Sequence, residues 1–196
     1  MPFLNKELKM DKFFTFNRVT FIGFGLINSS LARVFKSKSL AKEICAYSRR
    51  KQTLLKIKDL NIADYIYDDI KKSVENSDLI ILGVPVGVMS SLVQEFASSL
   101  KSGAIITDVG SIKKGLIDSI SPVLPKGVHF VPGHPIAGTE NSGPESGFEE
   151  LFKGRWCILT PTKNTSKDAI KKVDYIWQQA GMKVTIMDAE YHDRVL

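Results

Sequence analysis

The sequence predicts an α/β fold built on a doubly wound, mostly parallel sheet, and three observations carry that prediction. Short β-branched runs alternate with longer amphipathic ones along nearly the whole chain. One apolar run, DLIILGVP (78–85), is near-continuous, the pattern of a strand covered on both faces. A glycine turn, GFGLIN (23–28), joins the first strand-like run to the first helix-like run.

Taken in order, RVTFIG (18–23) reads as the first strand and LINSSLARVFKS (26–37) as the helix behind it. EICAYS (43–48) is a second strand, and RKQTLLKIKDLN (50–61) a second helix. A short extended piece at Tyr65–Tyr67 precedes the buried strand DLIILGVP, which is followed by a helix through VMSSLVQEFASSL (88–100). AIITDVG (104–110) is the fifth strand, with a helix from Lys113. VHFVP (128–132), WCILTP (156–161) and MKVTIM (182–187) read as further strands, and the helix SKDAIKKVDYIWQQAG (166–181) is closed by glycine. DAEYHDRVL (188–196) opens like a new helix, with Asp188 as its cap and an acidic first turn. The expected division is an N-terminal extension over 1–17, a dinucleotide-binding domain over 18–187, and over 188–196 the start of a further helical unit.

Composition narrows the class. With 196 residues, 43% hydrophobic and 24% charged, the chain suits one well-filled globular domain. With a net charge of +6, the basic residues come as scattered clusters, Arg49-Arg50-Lys51, Lys71-Lys72, Lys113-Lys114 and Lys171-Lys172, read mainly as solvated helix faces. No basic arm or zinc-finger spacing points to nucleic acid. No 18-residue apolar stretch points to a membrane span, and no apolar core marks a signal peptide. Cys45 and Cys157 lie in apolar runs without metal-ligand spacing, so they read as small buried hydrophobes in a reducing cytoplasm. No metal is expected.

The glycine turn points to a nucleotide. In a Rossmann-type turn the first glycine permits the bend, the second lets backbone approach the pyrophosphate, and the third packs helix on strand. Gly23 and Gly25 occupy the first two positions, and the amides of Leu26 and Ile27 open the helix that would face the phosphates. Asn28 stands at the third. The second strand ends where an acid would bind a ribose 2′-hydroxyl, yet the chain reads Ser48, Arg49, Arg50. Serine and guanidinium groups can donate hydrogen bonds to a 2′-phosphate, whereas a carboxylate would repel it. NADP is therefore favoured, with NAD possible. Solvated arginines at a helix start are the competing reading. Val84 and Pro85 after the fourth strand, and Gly110 and Ser111 after the fifth, fall at strand ends where such sheets bind ligands. For Ser111, helix capping and ligand contact stand as even alternatives.

GHPIAGTE (133–140) is the other informative stretch. Its proline argues against a helix or central strand, so His134 is expected on a stiff loop just after a strand. An imidazole there can accept or polarise a substrate hydroxyl proton. A loop histidine making only local hydrogen bonds is the alternative. His129, inside VHFVP, reads as structural, and His192, on the terminal helix, has no evident partner.

Together GFGLIN, DVGSIKK, GHPIAGTENSG, LFKGRWCILTP and EYHDRVL give a chain that resembles the prephenate and arogenate dehydrogenases of tyrosine biosynthesis, from Val19 to Leu196. The resemblance implies NAD(P)-dependent oxidative decarboxylation of prephenate to 4-hydroxyphenylpyruvate, or of arogenate to tyrosine. It implies that His134 acts on the ring 4-hydroxyl and that Ser111 hydrogen-bonds near it. Thr139 and Glu140 are placed by it at the mouth of the site, Glu140 facing a cation from another domain. That family continues into an all-helical domain that forms a homodimer, which this chain is expected to lack or only begin. Two alternatives stay open: another Rossmann-fold reductase, and a nucleotide-binding module without a complete active site.

Overall fold

A computed structural model describes residues 14–196 of the chain. Its larger sheet has six strands: β1 (Phe16–Ile22), β2 (Ala41–Tyr47), β3 (Tyr65–Tyr67), β4 (Leu79–Leu82), β5 (Ile105–Asp108) and β6 (His129–Val131). All five pairings are parallel, in the order β3-β2-β1-β4-β5-β6. The order reverses between β1 and β4, which opens a crevice at their carboxyl ends. Helices α1 (Leu26–Ser37), α2 (Lys51–Asp59), α3 (Ile70–Val74), α4 (Val86–Phe96) and α5 (Lys114–Ile120) make the crossovers. The predicted fold class is the observed one.

The sheet is central because its strands are apolar on both faces. In β4, Leu79 and Ile81 point into one core cluster while Ile80 and Leu82 point into the other. β1 divides in the same way, with Val19 and Phe21 on one side and Ile22 on the opposite side. The period of two along a strand places alternate residues on alternate faces, so a continuous apolar run must be covered twice. Phe21, packed edge-on to Phe35 of α1 at 5.4 Å between ring centroids, fixes that helix on the first face. Cys45 and Cys157 are buried as expected, and burial raises both thiols, Cys45 to about 11.

The last strands depart from expectation. β7 (Gly133–Pro135), β8 (Trp156–Leu159) and β9 (Lys183–Ile186) form a separate three-stranded sheet. β7 runs antiparallel to β8, and β8 parallel to β9. His134 therefore lies in a short strand rather than a loop, opposite Ile158. The proline is tolerated because β7 is an edge strand, where the missing N–H of Pro135 faces no partner. Helix α6 (Lys167–Gln179) closes at Gly181, whose φ is +90°, and carries Trp177 into the core against Phe152.

Helix α3 was not anticipated. It is one short turn, capped by Asp69 Oδ1 accepting from the amides of Lys71 and Lys72 at 2.9 and 3.2 Å. The terminal helix α7 (Ala189–Val195) begins as expected, with Asp188 Oδ1 accepting from Glu190 and Tyr191 at 3.0 Å each. Of the extension expected over 1–17, residues 1–13 lie outside the described residues, and β1 starts at Phe16. Among the described residues no helix is long and apolar enough to cross a membrane.

Candidate active site

Three turns meet at the crevice. Gly23 holds φ +82° after β1, and a Cβ there would fall 2.7 Å from Val84 Cγ1 and 2.9 Å from the Gly83 carbonyl oxygen. A side chain is thus excluded both by conformation and by the neighbouring turn after β4. Gly25 serves as N-cap of α1 without a side-chain cap, and a Cβ there would meet nothing within 4 Å. Backbone faces open space at that point, above a helix whose first turn carries no acid. The amides of Leu26 and Ile27 precede the first intrahelical bond, from Ser29 N to Gly25 O at 3.0 Å. This geometry fits the phosphates of a dinucleotide.

Asn28, at the third glycine position, is buried and acts as a clasp. Its Nδ2 donates to the Gly23 carbonyl at 2.8 Å and lies 3.4 and 3.3 Å from the carbonyls of Ile22 and Ile81. The amide thus links the glycine turn to β4. Space for it comes from Gly83, where a Cβ would fall 2.3 Å from Asn28 Nδ2. The glycine expected on the helix has its counterpart just after the neighbouring strand β4.

Ser48, Arg49 and Arg50 follow β2 directly, Ser48 Oγ accepting from Arg50 N at 3.2 Å. Both arginines are exposed, and neither forms an ion pair among the described residues. Val84 abuts the glycine turn, and Pro85 is the N-cap of α4. Gly110 N donates to Asp108 Oδ2 at 2.8 Å, while Ser111 is exposed with no hydroxyl hydrogen bond among the described residues. Ser111 does not cap α5. That helix starts three residues later, and its leading amides, Lys113 N and Lys114 N, instead donate at 2.8 Å each to the carboxylate of Asp193 on α7.

A buried ion pair holds the floor under His134. Lys113, grouped by sequence with the solvated lysines, is fully buried with its ammonium on Asp108 and donates to the Gly133 carbonyl at 2.8 Å. Asp108 Oδ1 accepts from Gly133 N at 3.2 Å. Burial raises the Asp108 carboxyl, against the opposing pull of Lys113 and the amides of Gly110 and Gly133. Both polar groups of Gly133 are therefore pinned immediately before His134.

His134 is not alone. Its Nδ1 lies 2.9 Å from Nε2 of His192, whose Nδ1 lies 2.7 Å from Asp193 Oδ1. His192 is completely buried. Sequence reading missed this partner because 58 residues separate the two histidines. Desolvation, then the nearby His192 and Lys113, lower the His134 pKa to about 4. Partial burial pushes the Asp193 carboxyl up, but hydrogen bonds from His192, Lys113 N and Lys114 N outweigh it and hold it below the usual range.

Beside His134 opens a cavity of about 400 Å³, lined also by Ile136, Ala137, Gly138, Arg155 and Leu196. Arg155 brings a cation that the motif reading had passed over. Thr139 and Glu140 follow on an exposed stretch and do not line the cavity; Thr139 Oγ1 accepts from Asn141 N at 3.2 Å. His129 sits at the start of β6, the far end of the strand leading to this site.

Known proteins are similar to this chain over most of its length. Residues 31–186 match the family described as prephenate dehydrogenase, nucleotide-binding domain. Cyclohexadienyl dehydrogenase of Zymomonas mobilis is 39% identical over 181 residues, covering 92% of this chain and 61% of that protein. Prephenate dehydrogenase of Bacillus subtilis is 31% identical over 174 residues, covering 88% of this chain and 47% of that protein. The chain thus spans about half to three-fifths of the length of these curated relatives. The crystal structure of Aquifex aeolicus prephenate dehydrogenase, in complex with hydroxyphenyl propionate and NAD+, superposes with a TM-score of 0.85 at 33% identity over 97% of this chain and 64% of that one. Synechocystis arogenate dehydrogenase superposes with a TM-score of 0.83 at 25% identity, covering 90% and 62%. A match over most of the described chain, on a sheet whose switch point bears the glycine turn, settles its kinship: the chain belongs to the prephenate dehydrogenase family, matching its nucleotide-binding domain.

Proposed function

We propose that this chain provides the nicotinamide-binding and proton-accepting half of an oxidative decarboxylation of prephenate or arogenate in the cytoplasm. The observation that carries the reading is the placement of His134, pinned through Gly133 to the β5 strand end and lining a cavity at the ligand-binding edge of the sheet. A nicotinamide, when bound, supplies the hydride acceptor. Gly23, Gly25 and the amides of Leu26 and Ile27 would hold its pyrophosphate, flanked by Val84, Pro85 and Gly110. Ser48, Arg49 and Arg50 are assigned to the 2′-phosphate of NADP, since these donors, both arginines exposed, have no acid among them.

His134 takes the proton of the ring 4-hydroxyl as hydride departs from C4, leaving a dienone. The bond from C1 to its carboxylate then breaks, carbon dioxide leaves, and the electron pair moves through the ring to the C4 oxygen. His134 returns its proton to that oxygen, which completes the phenol. The depressed pKa suits the first step, because the imidazole is neutral and ready to accept at pH 7. Ser111, exposed at the end of β5, is assigned a hydrogen bond to the same hydroxyl. Arg155 provides positive charge at the cavity wall for a substrate that carries carboxylates. Thr139 and Glu140 are assigned to the outer mouth. The dinucleotide unit is placed at 18–187, and the homodimer is assigned to the full-length relatives' further length.

The test mixes the chain with prephenate or arogenate and with NADP or NAD, and follows reduced-cofactor absorbance. Turnover that disappears in His134→Asn supports the assignment; wild-type turnover in that variant refutes it. Cofactor binding without turnover limits this chain to the nucleotide-binding share of the reaction. Arg49→Ala is expected to weaken NADP about 10–100-fold, the worth of one charge-assisted hydrogen bond, and to leave NAD unchanged.

A further inference from the structure

We propose that His192 and Asp193 are positioning residues that set the tautomer of His134, keeping its hydrogen on Nδ1 and leaving Nε2 bare as the proton-accepting atom. This rests on the reading of His134 as proton acceptor and specifies which nitrogen acts.

The Asp193 carboxylate can only accept, so the hydrogen in its 2.7 Å contact with His192 belongs to His192 Nδ1. Neutral imidazole carries one hydrogen, so His192 Nε2 is then an acceptor. The atom 2.9 Å away, His134 Nδ1, must be the donor. Neutral His134 therefore has no hydrogen on Nε2. A free imidazole favours the opposite tautomer, and only a fixed acceptor at Nδ1 reverses that preference.

The anchor of this relay is rigid at both ends. Asp193 Oδ1 also accepts from Lys113 N at 2.8 Å, and Oδ2 accepts from Lys114 N at 2.8 Å. The carboxylate is thereby tied to the start of α5, at the backbone of the same Lys113 whose side chain holds the Gly133 carbonyl. His192 is fully enclosed, so water cannot replace it as the partner of His134. When His134 takes a proton on Nε2, its Nδ1–H faces an acceptor whose own ring is polarised by a carboxylate. The imidazolium formed during the reaction is stabilised along that line.

The test reads ring nitrogens directly and needs no turnover. Nitrogen-15 histidine labelling of the full chain gives three ring systems, His129, His134 and His192, assigned by omission in single variants. At neutral pH the wild type is expected to show a hydrogen-bearing Nδ1 and a bare Nε2 on His134. A hydrogen on Nε2 of His134, or an imidazolium at His192, would overturn the proposal. His192→Gln, whose side-chain carbonyl can accept from His134 and whose amide can donate to Asp193, is expected to keep the wild-type tautomer. His192→Leu is expected to lose it; an unchanged His134 spectrum in a folded His192→Leu protein also overturns the proposal. Where the chain turns over, His192→Leu should lower kcat about tenfold or more with KM little changed, and Gln should restore it. Failure of the function reading appears separately, as wild-type turnover in His134→Asn beside an intact tautomer pattern.

Discussion

Asn28 and Gly83 offer a quantitative test of how the nucleotide turn is held. Gly83→Ala places a methyl carbon 2.3 Å from Asn28 Nδ2 and 2.4 Å from its Cγ, far inside contact distance. The strand cannot retreat easily, since Gly83 N donates to the Ile22 carbonyl at 2.8 Å. Asn28 must therefore give way, losing its 2.8 Å bond to the Gly23 carbonyl and the longer contacts to Ile22 and Ile81. Overpacking costs about 1–3 kcal/mol, and a buried hydrogen bond broken with its acceptor left unpaired costs about another 1–3 kcal/mol. The single change should thus destabilise by about 2–6 kcal/mol. Asn28→Ala alone should cost less, about 0–2 kcal/mol, because it also removes Oδ1, a buried acceptor with no partner. Once Asn28 is alanine the added methyl at position 83 has room. The double variant should fall close to Asn28→Ala alone, a coupling of about 2 kcal/mol or more. Urea unfolding midpoints at constant m measure the cycle. Additive losses would show that the two residues do not share the space as described, and would remove the account of why asparagine replaces glycine here.

The buried pair under His134 should behave differently from any surface pair. Lys113→Met strands Asp108 in the core and should cost about 3–5 kcal/mol, while Lys113→Met with Asp108→Asn should recover part of that loss; equal unfolding midpoints for the two would contradict the burial. The His134 pKa of about 4 makes a statement about pH. Turnover should stay flat as pH falls through 6.5 and drop only toward 4, provided the rate follows the neutral imidazole. Between those values the unfolded chain binds the proton that the native state refuses, so stability should decline as pH falls from about 6.5 toward 4. His134→Asn should remove that part of the slope, and a slope unchanged in the variant would assign it to other groups.

Features carried by neighbouring residues were legible in the sequence, and features carried by distant ones were not. The alternation of β-branched and amphipathic runs identified the main sheet, and the bounds of α1, Leu26–Ser37, were read without error because its apolar face sets them locally. Gly23 announced a tight bend by its place between strand and helix. Lys113 looked like one of many solvated lysines, because its spacing of five from Asp108 fits no helical or strand pairing, and the Gly133 carbonyl that completes its enclosure lies 20 residues further on. His192 and Asp193 gave even less. Their meaning comes from α7 folding back onto the start of α5, an arrangement sustained by hydrogen bonds spanning 79 and 80 residues. The misread strand at His134 has the same origin. Proline excludes a central position, but only the arrival of β8, more than twenty residues later, decides that an edge position exists. The consequence for the site is physical. His134 is placed by Gly133 on one side and by His192 on the other, and those two supports belong to segments that come together only in the folded chain. Its local motif supplies an imidazole on stiff backbone, whereas its protonation is decided by tertiary contacts. A substitution in the terminal helix, remote from GHPIAGTE in sequence, should therefore alter the chemistry of His134 more than most substitutions within the exposed residues 139–142 that follow it.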